Sequence, residues 1–406
     1  MRIIHTSDWH LGKYLEGASR LEEQKQFLED FVVTVKENDI DLVIIAGDVY
    51  DTSNPPAEAE RLFYKGVKAL SEDGKRVVLV IAGNHDHPER LEASNPIAID
   101  DGIIILSKPK SIAPTGHCGK HQIIDSGEGY IELEINNEKI ILLTMSYPSE
   151  KRLNEMIYTS LEDEKDMQME YSKRLGEIFG ELQEKFRKDT INIAVSHLFT
   201  LGGEESTSER SIQLGGSYSV NVSDLPLNAQ YIALGHLHKP QRIKNSEDTP
   251  VIYSGSPLQY SKSERSYAKC CYLIEAEPSK PVEIEKLDIK NYKPIEVWRC
   301  KSIEEALEKC EENNERDLWV YLEIETDEYI ANEEIRQLKK LKKDIVEIKP
   351  ILKDDQVEIQ YFDVKEQPIQ DLFKEFYTKE RGNEPSDELI ELFLGIVEEG
   401  ESHAAN

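Results

Sequence analysis

In chain order, Asp8, His10, Asp48, Asn84, His197, His236 and His238 supply carboxylate, amide and imidazole groups, each of which offers a lone pair to a cation. Asp8-Trp9-His10 and His236-Leu237-His238 each set two such groups two residues apart. In extended backbone that spacing turns both to the same side. Oxygen and imidazole nitrogen without thiolate suit borderline divalent ions such as manganese, iron or zinc, and argue against a structural zinc. Seven ligands for two ions require sharing, and Asp48, after Gly47 at a strand end, is the natural bridge. Two ions about 3.5 to 4 Å apart would clamp the attacking and leaving oxygens of an in-line displacement at phosphorus, with a water activated by both as nucleophile. His85 then falls to the substrate side, donating a proton to the leaving oxygen or stabilising charge on the phosphorane, with Asp86 as the candidate to orient it.

These residues need strands to carry them. Arg2 to Thr6, Asp41 to Ala46 and Arg76 to Ala82 read as short buried strands, separated by helices over Leu21 to Asn38 and Pro56 to Leu70. Each strand ends in a polar cluster: Asp8 and His10, then Gly47-Asp48, then Gly83-Asn84-His85-Asp86. Sites in α/β sheets form just beyond the carboxyl ends of strands, so the three clusters are expected to converge. Residues 121 to 146 predict two or three antiparallel strands with Asn136-Asn137 as a hairpin turn, and Ser149 to Lys188 is helical in period. Ile191 to Val195 and Tyr231 to Leu234 return to strand and end in Ser196-His197 and Gly235-His236-Leu237-His238, with a Gly- and Ser-rich loop, Leu201 to Ser219, between them. Further strands are expected at 250 to 254, 267 to 275 and 282 to 288.

Past Pro294 the order is strand, helix, strand, helix, strand, a small α/β unit that suggests a split βαβ arrangement. Two amphipathic helices are expected beyond it, Ile369 to Thr378 and Asp387 to Glu398, with apolar stripes (Leu372, Phe373, Phe376; Leu389, Ile390, Phe393, Leu394) suited to burial against a partner. The domain boundaries are therefore placed at 1–288 for the catalytic domain, 289–352 for a capping α/β domain and 353–406 for an acidic helical region.

The composition sets limits on this reading. The 406 residues carry 79 Asp and Glu against 49 Lys and Arg, a formal charge of −30, unlike proteins that hold nucleic acid through a general basic surface. Residues 1–300 hold 35 basic and 49 acidic groups, whereas residues 301–406 hold 14 and 30, so more than half the excess lies beyond the motifs. The five cysteines lack any CxxC spacing and are read as buried thiols. The opening residues lack a basic region and apolar core of export type, no apolar run approaches the about 20 residues of a membrane helix, and a cytoplasmic protein is expected. His5 reads as a core histidine, and His87, His117, His121 and His403 as loop or tail histidines. The basic run Arg336 to Lys343 reads as a solvated helix face. Lys239, Arg242 and Lys244, directly after the histidine pair, are the better candidates for substrate contact.

Any one of these motifs alone is weak, but the five in order and spacing resemble the calcineurin-like metallophosphoesterases. The opening HTSDWHLGK, the segments GDVYDTSNPP and GHLHKPQ, and YSGSPLQYS at Tyr253 to Ser261 are similar to the nuclease subunits of bacterial SbcCD complexes. That resemblance implies an α/β fold: a four-layer metallophosphoesterase sandwich of two mixed β-sheets flanked by helices, with a smaller α/β capping domain and C-terminal helices. It also implies one ion on Asp8, His10, Asp48 and His238 and the other on Asp48, Asn84, His197 and His236, with manganese the expected metal. Double-strand 3′ to 5′ exonuclease and single-strand or hairpin endonuclease activity on DNA in repair and replication-fork processing, a coiled-coil ATPase partner of SbcC type, and a homodimer through the 56–70 helix and a short helix near Leu91 to Ile99 would follow. A phosphodiesterase acting on a small phosphoester is the runner-up within the fold. A metal-free scaffold is disfavoured because every ligand position is filled.

Overall fold

The computed structural model describes residues 1–155, 164–209, 219–245, 247, 249–326 and 330–352, together with 373, 374, 377, 389, 390 and 393. One compact unit runs Met1–Ile351 and a second Leu352–Asn406.

Short runs of Val, Ile and Leu between charged helices give the first unit its layers. Arg2–Thr6, Leu42–Ala46, Val77–Ile81 and Ile103–Leu106 pair in parallel, and Cys270–Glu275 and Glu283–Asp288 extend the sheet antiparallel beyond Arg2–Thr6. Such strands are apolar on both faces because both faces are covered. Side chains alternate accordingly: Ile4, Val43, Ile45, Val78 and Val80 pack outward against the helices Leu21–Glu37 and Ala57–Ser71. Ile3, Leu42, Ile44, Val77 and Leu79 pack inward against a second sheet. Full burial stabilises each of these side chains by about 1.5–3 kcal/mol.

The second sheet has eight strands, four of them parallel: Glu138–Met145, Ile191–His197, Tyr231–Gly235 and Val251–Tyr253. Its outer face is covered by the helix Glu164–Leu182 through Tyr171, Leu175 and Phe179. Helix, sheet, sheet, helix is the four-layer arrangement expected. Asn136 and Asn137 turn the Tyr130–Ile135/Glu138–Met145 hairpin with φ of 51° and 67°, the left-handed pair that a two-residue turn requires.

Several expectations need correcting. The helical stretch from Ser149 is not continuous: Ser149 caps a single turn, Glu150–Leu153, and Asn154 ends it in left-handed backbone at φ 56°. Residues 156–163 lie outside the described residues, and the helix Glu164–Leu182 follows. The small unit is not split. Ile295–Cys300 pairs directly and in parallel with Trp319–Thr326, which is flanked by Ile345–Leu352, so no strand intervenes. Its helices Ile303–Glu312 and Asn332–Leu341 close a core of Trp298, Cys310, Val320, Leu322 and Leu338. Within the basic run, Lys342 is buried and donates to the carbonyl of Arg316 at 2.6 Å, while Arg336, Lys339, Lys340 and Lys343 are exposed. His121 is buried with Nε2 2.8 Å from the Lys75 carbonyl oxygen, so it is a strand residue and not a loop histidine. His5 is buried as expected, Nδ1 lying 2.9 Å from the Tyr231 hydroxyl. All five cysteines are free and buried.

In the second unit the rings of Phe373 and Phe393 stack at 4.0 Å between centroids. The remainder of the helices expected over 369–378 and 387–398, His403 and the loop centre 210–218 fall outside the described residues. Among the described residues no helix is long and apolar enough to cross a membrane.

Candidate metal centre

The parallel strands of both sheets end at one place. Asp8 and His10 follow Arg2–Thr6, Asp48 follows Leu42–Ala46, and Asn84 and His85 follow Val77–Ile81; His197 closes Ile191–His197, and His236 and His238 follow Tyr231–Gly235. Asp8, His10, Asp48 and His236 hold positive φ (53°, 44°, 49° and 108°), a conformation that costs a non-glycine residue about 1–3 kcal/mol and recurs at functional sites. Glycines permit the close approach. A Cβ on Gly83 would stand 2.1 Å from Asp48 Oδ1, and one on Gly235 would stand 1.9 Å from the Ala46 carbonyl oxygen.

Among the described residues, three groups each bring ligand atoms within 4.8 Å of one another: His10, Asp51 and His85, and the two that match the expected ion sites, Asp8, His10 and His238, and Asp48, His197 and His236. Asp48 sits between them: its Oδ2 lies 3.6 Å from His10 Nε2, 3.4 Å from His197 Nε2 and 4.0 Å from His85 Nε2. Asn84 Oδ1 faces His197 Nε2 at 3.0 Å and His236 Nδ1 at 3.1 Å. His10 Nε2 and His238 Nε2 approach to 2.9 Å. Two imidazole nitrogens that close, buried, need a proton or a cation between them. The donor set, all oxygen and imidazole nitrogen, therefore fits divalent cations of the borderline class.

Burial and neighbours set the charges. Burial would raise the Asp48 carboxyl, but the imidazoles of His197, His85 and His10 hold it well below the usual carboxylate range. Burial pushes Asp8 up to about 6 against the pull of His197 and His238. For His197, burial opposes the charge, yet Asp48 and Asp8 raise it to about 9. His236 falls to about 3 through burial and the neighbouring His197. A ligand must shed its proton to bind a cation, so cation affinity is expected to rise with pH from about 6 to about 9. At pH 7 the His197 proton should be released on binding. Manganese titration calorimetry in buffers of different ionisation heat measures this; an affinity flat across that range would contradict it.

The His85 backbone N–H donates to Asp48 Oδ1 at 2.9 Å, and its ring Nδ1 lies 2.6 Å from the Asp51 carbonyl oxygen. A carbonyl only accepts, so Nδ1 carries the proton and Nε2 is turned toward Asp48. Asp86 does not play the orienting part expected of it. Its carboxylate accepts backbone N–H groups from Val49 (3.1 Å), Tyr50 (2.9 Å) and Gly83 (2.9 Å), tying together the two loops that carry Asp48 and Asn84. Arg152, also absent from the sequence reading, clamps the same loop, donating to the carbonyls of Gly83 and Asp86 at 2.7 Å each.

Asp51 escaped notice as well, although it stands three residues after Asp48. Its Oδ1 is 3.5 Å from His10 Nδ1 and takes a 2.7 Å bond from Lys13. Of the substrate candidates, Lys239 pairs with Glu204, Arg242 is exposed on the short edge strand Gln241–Ile243, and Lys244 is exposed just beyond it.

A family model for calcineurin-like phosphoesterases matches residues 1–240. A model described as the type 5 capsule protein repressor C-terminal domain matches residues 291–381. SbcD, of the nuclease SbcCD of Bacillus subtilis (strain 168), is 39% identical over 399 residues, covering 98% of each chain. Its counterpart from Staphylococcus epidermidis (strain ATCC 12228 / FDA PCI 1200) is 28% identical over 378 residues, covering 93% of this chain and 92% of its own. A solved dimetal phosphatase from Danio rerio overlaps 72% of this chain and 97% of its own at 13% identity, with a TM-score of 0.39. With its strand-end ligands, its sandwich and a relative matched almost end to end, the chain belongs to the calcineurin-like phosphoesterases and, among them, to the SbcD family of metal-dependent nucleases.

Proposed function

We propose that the chain is the nuclease component of a DNA-processing complex, cutting duplex DNA from 3′ ends and opening single strands and hairpins, with a coiled-coil ATPase of SbcC type as partner. The observation that carries this reading is the single Asp48 oxygen set among the imidazoles of His10, His197 and His85, the placement a bridging ligand needs. Asp8, His10, Asp48 and His238 would hold one cation, and Asp48, Asn84, His197 and His236 the other. Bound divalent cations, manganese in this reading, lower the pKa of an attacking water and neutralise charge at the phosphoryl group.

The chain's own residues do the rest. His85, with Nδ1 held by the Asp51 carbonyl, presents Nε2 to the substrate and delivers a proton to the leaving oxygen or steadies the phosphorane. Asp86 and Arg152 keep the Asn84-His85 loop in register with Asp48. Lys239 and Arg242 flank the histidine pair and meet the DNA backbone once Lys239 leaves Glu204. The division at 1–288, 289–352 and 353–406 assigns nuclease, cap and partner-binding parts. Self-association uses the Ala57–Ser71 helix and the Pro88–Ala98 segment, where Tyr64 and Ile97 are exposed. The complex works in the cytoplasm.

Chelator-stripped protein reloaded with manganese, magnesium, zinc or iron tests the metal. Manganese is expected to restore hydrolysis of bis-p-nitrophenyl phosphate at least about tenfold better than magnesium, which prefers all-oxygen sites. Equal or better activity with magnesium would contradict the assignment.

A further inference from the structure

Glu264 is fully buried in the short 3-10 turn Lys262–Ser266, and Lys269, also buried, pairs with one of its oxygens. Two charges taken out of water stabilise a fold little, and often less than apolar groups of the same volume would. The pair faces the back of one candidate ligand. Glu264 Oε1 accepts the hydroxyl of Ser208 and lies 3.4 Å from His238 Nδ1; the Ser208 oxygen lies 2.6 Å from the same Nδ1. Lys269 Nζ donates to the His238 carbonyl oxygen at 2.9 Å and to Ser256 Oγ at 2.7 Å. A hydroxyl has one proton, and Ser208 gives its proton to a carboxylate that can only accept. Ser208 must therefore accept from His238 Nδ1–H, which leaves the Nε2 lone pair directed at His10 Nε2.

The other cluster is backed differently. His197 Nδ1 faces a neutral group, the Ala46 carbonyl oxygen at 2.9 Å. Behind His10 and His238 stand carboxylates, Asp51 and Glu264. A carboxylate behind an imidazole fixes its tautomer and raises its basicity toward a cation.

We propose that Glu264 is a positioning residue for the Asp8, His10 and His238 cluster: with Ser208 it fixes the ring and tautomer of His238, and with Lys269 it fixes the backbone of that ligand. This rests on the dimetal reading above. Losing it should weaken cation binding at that cluster and spare the Asp48, Asn84, His197 and His236 cluster.

The test uses the full chain and manganese alone. Glu264→Gln leaves Lys269 buried without its counter-charge, so the double variant Glu264→Gln with Lys269→Met is compared with wild type by calorimetry and electron paramagnetic resonance, folding being checked by thermal melting. Wild type is expected to bind two ions and show a spin-coupled pair. The folded double variant should keep one ion at wild-type affinity, bind the second about 10- to 100-fold more weakly, and show an isolated ion at concentrations that saturate wild type. Two ions at unchanged affinity, or equal weakening of both, would overturn the proposal. Should the double variant not fold, Ser208→Ala removes the relay hydroxyl alone; selective weakening supports the proposal and unchanged binding overturns it. Wild-type protein that binds no manganese sinks the dimetal reading, and this inference with it.

Discussion

Replacing Asp48 with asparagine should abolish hydrolysis and empty the centre. The substitution keeps the side-chain volume but removes the one charge that faces His10, His197 and His85 together. Without it the cations lose their shared ligand, and His197 loses the main partner that offsets its burial. A drop of at least about three orders of magnitude in turnover, on the order of 4 kcal/mol of transition-state stabilisation, is expected. Metal analysis of the purified variant should find fewer than one ion per chain where wild type holds two. Retention of both ions with activity within tenfold of wild type would show that Asp48 does not bridge them.

His85→Ala should behave in the opposite way toward metal. The ring packs against His10 with centroids 4.6 Å apart and its Nε2 stands 4.0 Å from Asp48 Oδ2, outside the shorter contacts that join His197 and Asn84 to their neighbours. The backbone N–H that supports Asp48 survives the substitution. Both ions should remain while cleavage falls about 10²- to 10⁴-fold, the usual worth of a proton-transferring side chain. A substrate with a strongly acidic leaving group, such as a p-nitrophenyl ester, should lose less than DNA does if His85 protonates the leaving oxygen. An equal loss on both substrates would favour charge stabilisation, and an emptied centre would make His85 a ligand.

How far these residues could be read without coordinates depends on the range of the contacts that hold them. Asp8, His10, Asp48, Asn84, His197, His236 and His238 each end a strand whose apolar run is visible locally, so the geometry followed from counting strand ends. Asp86 sits in the same motif, but its carboxylate is engaged by backbone N–H groups. Which N–H groups its carboxylate meets depends on how the loop at Val49 and Tyr50 folds over it, and neither residue is near it in the chain. Glu264 and Ser208 reach His238 from 26 and 30 residues away, and Arg152 reaches Gly83 from 69, with nothing in their own neighbourhoods to mark them. Secondary structure went astray for a related reason. Asn154 ends a helical period in left-handed backbone, which polar and apolar spacing alone does not register. The strand order of the small unit is likewise a tertiary fact, fixed by the Ile295 to Trp319 register. The charge of −30 takes on a narrower meaning as well: a general basic surface is absent, so under the proposed function DNA would have to be held by cations at the centre, a local basic strip and a partner.

The most direct measurement is the fate of end-labelled linear duplex DNA incubated with the purified chain and manganese, with and without the ATPase partner and ATP. Metal-dependent shortening from the 3′ ends, absent in Asp48→Asn and in chelator, is the expected result. Hydrolysis of p-nitrophenyl diesters with no cleavage of duplex, single-stranded or hairpin DNA under any of these conditions would contradict it.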